Sequence, residues 1–456
     1  MNYALSEHMS FKKLLRAALP CIMMMVAISI YSVVDGFFVS NFAGKTPFAG
    51  LNLIYPLITV LGSLGFMMGT GGAAFVAKRF GEGKNEEGNK AFSNCVFFTI
   101  FLSVAISVPV IIFMPSISRW LGSDENMLPY CVSYGRISVA GVTFFSLQNL
   151  FQSFFTAAEK PRLGFVITLI AGITNIILDA ILIVGFKLGT VGAAIGTISG
   201  QAVGAIIPII YFARKNPTTL RLKWEKFEFN HIFKMAGNGA SEFVSNISVA
   251  VSSMLINSAL MTYYGEDGVS AYGIICYVWL IFAAAFIGYN IAVSPRVSYA
   301  LGAQNKTELK SLFKKSMILL TIFGLAEFAL AEALAVPLSY AFAGYDQGLV
   351  ELTILAFRIY SLVFAFVGFN MFASAFFTAL NNGIVSMIIS FARLGLMELG
   401  AVLIVPLLMG GIGVWWAVPI ANMIGFLMNL IVLFAFGKRY GYLGQEEISK
   451  NSSSHV

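Results

Sequence analysis

Residues 135–157 read GRISVAGVTFFSLQNLFQSFFTA, and residues 357–379 read FRIYSLVFAFVGFNMFASAFFTA. Each stretch is almost wholly apolar, opens on an arginine and closes on Phe-Phe-Thr-Ala. The pairing sets Arg358 against Arg136 and Phe376-Phe377-Thr378-Ala379 against Phe154-Phe155-Thr156-Ala157. Three glycine pairs keep the same spacing: Gly81 with Gly302, Gly192 with Gly413, and Gly44 with Gly265, all about 221–222 positions apart. One half of the chain therefore repeats the other, a pattern known from membrane carriers.

The repeated unit is built for lipid. Over 456 residues, 58% are hydrophobic and 11% charged, with a mean hydropathy of +0.82. A soluble domain needs more surface charge, so the composition implies an integral membrane protein. Apolar stretches of roughly 20–28 residues recur, each enough to cross a core about 30 Å thick as a helix. Spans are expected near 14–40, 48–77, 90–115, 128–157, 163–186, 191–213, 232–262, 270–297, 311–339, 350–380, 384–408 and 412–436. The reading is an all-α membrane protein with 12 transmembrane helices in two pseudo-symmetric six-helix bundles. An even number of spans per copy gives both copies the same orientation, with a central cavity between them. The expected organisation is an amino-terminal lobe at 1–213, a linker at 214–231, a carboxy-terminal lobe at 232–436 and a tail at 437–456. The linker, ARKNPTTLRLKWEKFEFNH, is polar and contains a proline.

About 23 of the 29 basic residues fall in the termini and even-numbered loops. The net charge of +7 is thus a topology signal and not a nucleic-acid surface. It places both termini in the cytoplasm and the chain in the cell (inner) membrane as a multi-pass protein. Cys21, Cys95, Cys131 and Cys276 show no paired spacing, so neither a disulfide nor a metal site is expected. The first span is too long for a cleavable signal peptide.

Against this background, acids within spans are the informative residues. A carboxylate at mid-membrane costs about 2.5–3.5 kcal/mol and is relieved by a proton, a cation or a partner. Asp35 lies about five residues before the outer end of span one, Asp179 about seven before that of span five, and Thr197 about six into span six. All three sit roughly 8–11 Å below the outer boundary at 1.5 Å per residue. Asn175 shares a helix face with Asp179, and Tyr31 with Asp35. Two facing acids cannot both stay ionised cheaply, so the cluster would hold a proton, or Na⁺ on its carboxylate, amide and hydroxyl oxygens. Neutral, hydrogen-bonded helix glue is the bland alternative.

Other buried polar groups carry weaker signals. Gln148 and Gln152 stand among phenylalanines in span four, and Met25 belongs to a flexible CIMMMV run, so these are candidates for a substrate surface. Pro20 removes a backbone hydrogen bond and should bend or hinge span one. Glu242 and Glu398 are secondary candidates. Arg393 is five positions before Glu398, a spacing that does not stack on an α-helix, so each is expected to pair elsewhere. Glu327 and Glu351 are weaker still, and Arg136 and Arg358 read as structural.

The chain resembles the multidrug and toxic compound extrusion (MATE) family over nearly its whole length. The likeness is carried by VVDGFFVSNFAG in span one, GTGGAAFVAKRFGEGK after span two, and FFTAAEKPRLGFVITLIAGITNIILDAILI across spans four and five. It implies a V-shaped exporter of cationic, amphipathic compounds in exchange for H⁺ or Na⁺. In the DinF-like branch the coupling site is in the amino-terminal lobe, and the matching positions are Asp35, Asn175, Asp179 and Thr197, with Tyr31 and Gln152 nearby. Pro20 matches a bend proposed to move on protonation. Span ten lacks the acid of the branch that couples in the carboxy-terminal lobe. The expected cycle neutralises Asp35 and Asp179 in an outward-open state, releases drug and then turns inward. No cofactor is expected, the partners are small molecules and the bilayer, and the unit is a monomer. A flippase for a lipid-linked saccharide or peptidoglycan precursor is the alternative, and would favour a strongly cationic cavity. An enzyme is disfavoured, because His8, His231 and His455 lie in tails or linker.

Overall fold

The computed structural model describes residues 3–344 and 346–443; the end of the expected tail, beyond 443, lies outside the described residues. Every element among them is helical. In chain order these are α1 (Phe11–Phe42), α2 (Lys45–Gly81), α3 (Asn85–Ile112), α4 (Met114–Trp120), α5 (Leu128–Ala140), α6 (Val142–Ala157) and α7 (Pro161–Asp179), which continues as a π-helix over Ala180–Gly185. Then come α8 (Gly189–Ala213), α9 (Phe229–Gly302), α10 (Lys306–Ala343), α11 (Gln347–Ala379) and α12 (Gly383–Ser390). A π-helix over Phe391–Glu398 leads from α12 into α13 (Leu399–Met409), and α14 (Gly411–Tyr440) ends the fold.

Ten of these helical stretches are long and apolar enough to cross a membrane. The 74 residues of α9 would reach roughly 110 Å at 1.5 Å per residue, far beyond one crossing. It folds back at Gly265, with φ 64° and ψ −148°, a conformation open almost only to glycine. It therefore supplies two crossings. α5 and α6, of 13 and 16 residues, are each too short alone but adjoin at Gly141 and make one span. Twelve crossings result, at the expected places, and the protein is a multi-pass membrane protein. The short α4, which ends on the exposed Trp120, departs from the expectation that span three runs on to 115.

The duplication is written into the backbone as well. Left-handed φ angles recur as pairs: Gly44 and Gly265 (97° and 64°), Gly83 and Gln304 (75° and 54°), Glu159 and Asn381 (60° and 56°), Gly189 and Gly410 (55° and 66°). Each pair closes the same turn in the two copies. A side chain in this region costs roughly 1–2 kcal/mol, yet Glu159 and Asn381 both accept it. Turn geometry has outlasted residue identity.

The lobes meet on the face that carries the basic loops, here the basic face. A methyl group added to Gly239 of α9 would lie 1.9 Å from Met67 O of α2, and one on Gly71 2.1 Å from Met235 O. Nearer the helix ends, one on Gly81 would lie 2.2 Å from Tyr299 O, and one on Gly302 2.1 Å from Lys78 O. Gly81 and Gly302 are the repeat-matched pair, so this contact sits on the internal two-fold. Without side chains in the way, α2 and α9 approach backbone to backbone, as small residues permit in lipid. The basic half of α1 is also drawn in: Leu14, Ala18, Cys21 and Met24 pack into one buried cluster with second-lobe residues such as Ile275, Phe286 and Tyr289. Toward the other face Ile30 and Phe37 are exposed.

This packing predicts a contrast between two glycines of the same helix. Gly239→Val puts atoms where backbone already stands, so it should lower the thermal midpoint in detergent, by an overpacking cost of about 1–3 kcal/mol. Gly273→Ala meets nothing within 4 Å and should leave the midpoint unchanged or raise it. Equal midpoints for the two variants would refute the close approach.

Candidate functional site

In the first lobe the site begins with glycines. Gly192, Gly196, Gly200 and Gly204 recur at every fourth position of α8, all buried. This stripe brings the backbone of α8 against side chains of its neighbours. A methyl on Gly196 would lie 2.2 Å from Asp179 Oδ1, one on Gly200 3.0 Å from Asn175 Cβ, and one on Gly204 2.8 Å from Gln148 Cγ. On α7, one on Gly172 would lie 2.7 Å from Tyr31 Cδ1. Four of the expected site residues are thus positioned by the missing side chains of glycines.

Asp179 is the last residue of regular α-helix in span five, and the π-helical turn starts one residue later. Such turns are rare and are frequent at functional sites. Its carboxyl lies against that of Asp35 on α1. Thr197 Oγ1 donates to Asp35 Oδ1 at 3.5 Å, and Asn175 Nδ2 donates to Thr197 Oγ1 at 3.5 Å. These bonds are long. Asp179 is 0% exposed. Asn175 approaches its carboxyl, yet neither carboxylate oxygen accepts a well-formed hydrogen bond from any described residue, and Asn175 Oδ1 is equally without a donor. Three orphaned acceptor oxygens in one buried cluster are expensive, each about 1–3 kcal/mol and more where charged. A proton shared between the acids would remove the penalty. So would a hard cation on carboxylate, amide and hydroxyl oxygens. No group of three or more His, Cys, Asp or Glu suited to a metal exists among the described residues.

The structure thus brings together Asp35, Asn175, Asp179 and Thr197, the four residues that depth along the helices groups. Tyr31 is adjacent, with Gln148 as its polar neighbour. Gln152, one helical turn on in α6, is 3% exposed with neither amide atom partnered. Met25 is not part of this network; it is buried in the cluster that joins α1 to the second lobe. Pro20 lies inside α1, which is helical without interruption from Phe11 to Phe42. Two tyrosines without any mark in the sequence, Tyr55 of α2 and Tyr134 of α5, lie in the field of Asp35 without a hydrogen bond to it. Their helices carry no charged signal at that depth, so nothing in the sequence singles them out. The α8 glycine stripe does carry a signal, its four-residue period.

The second lobe holds a different cluster. Ser252 Oγ donates to Glu398 Oε1 at 2.6 Å. Arg393 is 6% exposed and lies in the field of both Glu398 and Glu242, while no carboxylate reaches it within ion-pair distance. The expectation that Arg393 and Glu398 do not stack holds for an α-helix. Residues 391–398 are π-helical, with bonds from i to i+5, so the two are electrostatic neighbours after all. Glu398 does find its hydrogen bond elsewhere, as expected. Nearby, Asn429 Nδ2 donates to Asn370 Oδ1 at 2.9 Å, and Asn370 Nδ2 donates to Asn422 O at 2.9 Å. Glu327 remains isolated in α10, with one buried oxygen unpartnered. Arg136 Nε donates to Ile111 O at 3.2 Å, and Arg358 stands 4.0 Å from Glu332, both structural contacts.

Comparison with known proteins gives one family and one fold. The family model MatE matches residues 20–181 and 243–403, most of both lobes. The multidrug export protein MepA of Staphylococcus haemolyticus (strain JCSC1435) is 24% identical over 440 residues, 95% of either chain. A structure described as the outward-facing conformation of a multidrug resistance MATE family transporter superimposes with a TM-score of 0.88 at 22% identity, covering 95% of this chain and 98% of that one. A MOP superfamily transporter from Pyrococcus furiosus, described as having a binding pocket of reverse polarity that suggests a different function, gives a TM-score of 0.86 at 22% identity, over 94% and 97%.

The glycine contact makes a testable claim about Asp179. Purified wild-type protein should gain thermal stability as Na⁺ is added or pH is lowered, because either relieves the paired acids. Gly196→Ala, which places a methyl on the carboxyl, should lose most of that gain, as Asp179→Asn should. Gly36→Ala, with nothing within 4 Å though next to Asp35, should keep it. A full cation-dependent shift in Gly196→Ala would show that the contact does not hold the carboxyl.

Proposed function

The chain belongs to the MatE family, a family of transporters and not of enzymes, and on that premise we propose that it is a secondary active antiporter. It exports amphipathic, mostly cationic compounds in exchange for H⁺ or Na⁺. The observation that carries this reading is the contact between Asp35 and Asp179, with Asp179 fully buried and both its oxygens without donors. Such a pair changes its charge cheaply only by taking up a small cation. The basic loops are in the cytoplasm with both termini, as the loop charge supports, and the protein acts as a monomer in the cell membrane without a cofactor.

In the cycle we propose, Asp35 and Asp179 are ionised while drug occupies the cleft between the lobes. A proton or Na⁺ entering from the open side joins the two carboxyls, with Asn175 and Thr197 as further ligands. The π-helical turn after Asp179 gives span five a place to change register. Gln152, with a buried amide lacking partners, offers a donor and an acceptor to a substrate. The emptied carrier then opens to the cytoplasm. Each charge crossing the membrane is worth about 2.3 kcal/mol per 100 mV, which drives export as long as cation and drug compete for linked groups.

In proteoliposomes with pH and Na⁺ gradients imposed separately, Asp35→Asn and Asp179→Asn should each slow export by at least about tenfold, equivalent to ~1.4 kcal/mol in the barrier. One of the two gradients should suffice to drive the wild type. Wild-type rates in both variants would exclude the pair as the coupling site.

A further inference from the structure

The segment that leads into each lobe reaches across to the other lobe. Before α1, residues 3–10 bridge the lobes, and Leu5 N donates to Glu159 Oε1 of the first lobe at 2.6 Å. His8 contacts Glu308 at the start of α10, and Met9 N donates to Glu308 Oε1 at 3.1 Å. Met9 O accepts from Lys315 of α10. Arg296 of α9 donates to Ala4 O at 3.0 Å and to Tyr3 O at 3.2 Å. Leu5 and Met9 are 6% and 1% exposed, so the segment is packed and not merely draped. On the other side of the pseudo-two-fold, His231 at the start of α9 has Nδ1 2.8 Å from Glu228 just before its own helix and Nε2 3.4 Å from Glu87 at the start of α3, and Arg79 of α2 is 3.2 Å from the same Glu87 carboxylate. There the linker is held to α3 as well: Arg221 N donates to Asn89 Oδ1 at 2.8 Å and Lys223 N to Ser93 Oγ at 3.1 Å.

The two junctions are equivalent under the repeat. Glu87 and Glu308 occupy matched positions, and so, within two residues, do His8 and His231. Each histidine heads the first span of its lobe, and each glutamate heads the third span of the other. Between them runs the seam where the backbones of Gly81 and Gly302 meet. We propose that these His–Glu junctions are a pair of clasps that hold the lobes together on the basic face and must both release before that face opens. The proposal rests on the alternating-access reading above, but not on which ion or residue couples transport. A lone junction would leave the lobes free to hinge about it; two, placed on either side of the seam, oppose hinging in either direction.

Lobe separation tests this directly. Spin labels at Arg162→Cys and Ile384→Cys, repeat-matched exposed sites at the starts of spans five and eleven, report the distance between lobes on the basic face of the full chain. The unmodified clasps should give one dominant short distance. His8→Ala with His231→Ala should raise a longer-distance population by at least about fivefold, within the usual range of coupling effects. Exchanging one pair, His8→Glu with Glu308→His in a His231→Ala background, should return it toward the His231→Ala single variant. If the double alanine variant does not fold, Glu87→Gln with Glu308→Gln is read in its place. An unchanged distance distribution, or a swap that fails to restore closure, would overturn the proposal. Wild-type export by Asp35→Asn and Asp179→Asn, with the distances behaving as expected, would overturn only the earlier assignment of those two acids.

Discussion

Hydrocarbon supplies no hydrogen bonds, and that absence organises this molecule. Each backbone group must be satisfied within its own helix, so the described elements are all helical. Helices in lipid gain nothing by hiding apolar side chains from each other, so association depends on close approach. Glycine allows it, at Gly71 and Gly239, at Gly81 and Gly302, and down the stripe from Gly192 to Gly204. The same scarcity makes Asp179 costly. A buried carboxylate without donors is tolerable only if a positive partner arrives, and a group that waits for a cation is what a cation-driven carrier requires.

Much of this is legible in the sequence because lipid imposes simple rules. Spans announce themselves by length and hydropathy, and the repeat by paired motifs. Asp35, Asn175, Asp179 and Thr197 can be grouped from the sequence alone, because helical rise converts position into depth. What depth cannot supply is azimuth. Tyr55 and Tyr134 share the acids' neighbourhood, but ordinary tyrosines in apolar helices carry no mark of which way they face. Met25 looks like a cavity residue by type and is instead part of the lobe interface.

Departures from regular helix are the second blind spot. A uniform 3.6 residues per turn sets Arg393 and Glu398 apart, and the π-helical stretch at 391–398 removes that separation. The π turn after Asp179 is equally invisible in the sequence. The α8 glycines are different in kind: their four-residue period is plain, and its meaning needs only the rule that small residues mark close contact. The lead-in segments read as mere tail and linker because they are polar, although polar segments at the membrane surface are free to bind across a seam.

The two lobes share a scaffold and differ in charge, and the difference bears on where coupling resides. The first lobe sets two acids against one another with only neutral groups, an amide, a hydroxyl and tyrosines, around them. The second has two acids, Glu242 and Glu398, with Arg393 between them in the field of both. That arginine is part of the chain, so the second cluster carries a positive charge of its own, and Ser252 already satisfies Glu398 in part. Among the described residues the first cluster has no cation of its own, so on the proposed reading its neutralisation comes from outside the protein. On the antiport reading proposed above, this difference is the argument for placing ion coupling in the first bundle. The clasps on the basic face fit that division. As proposed, they join the lobes by matched residues and give no preference to either bundle.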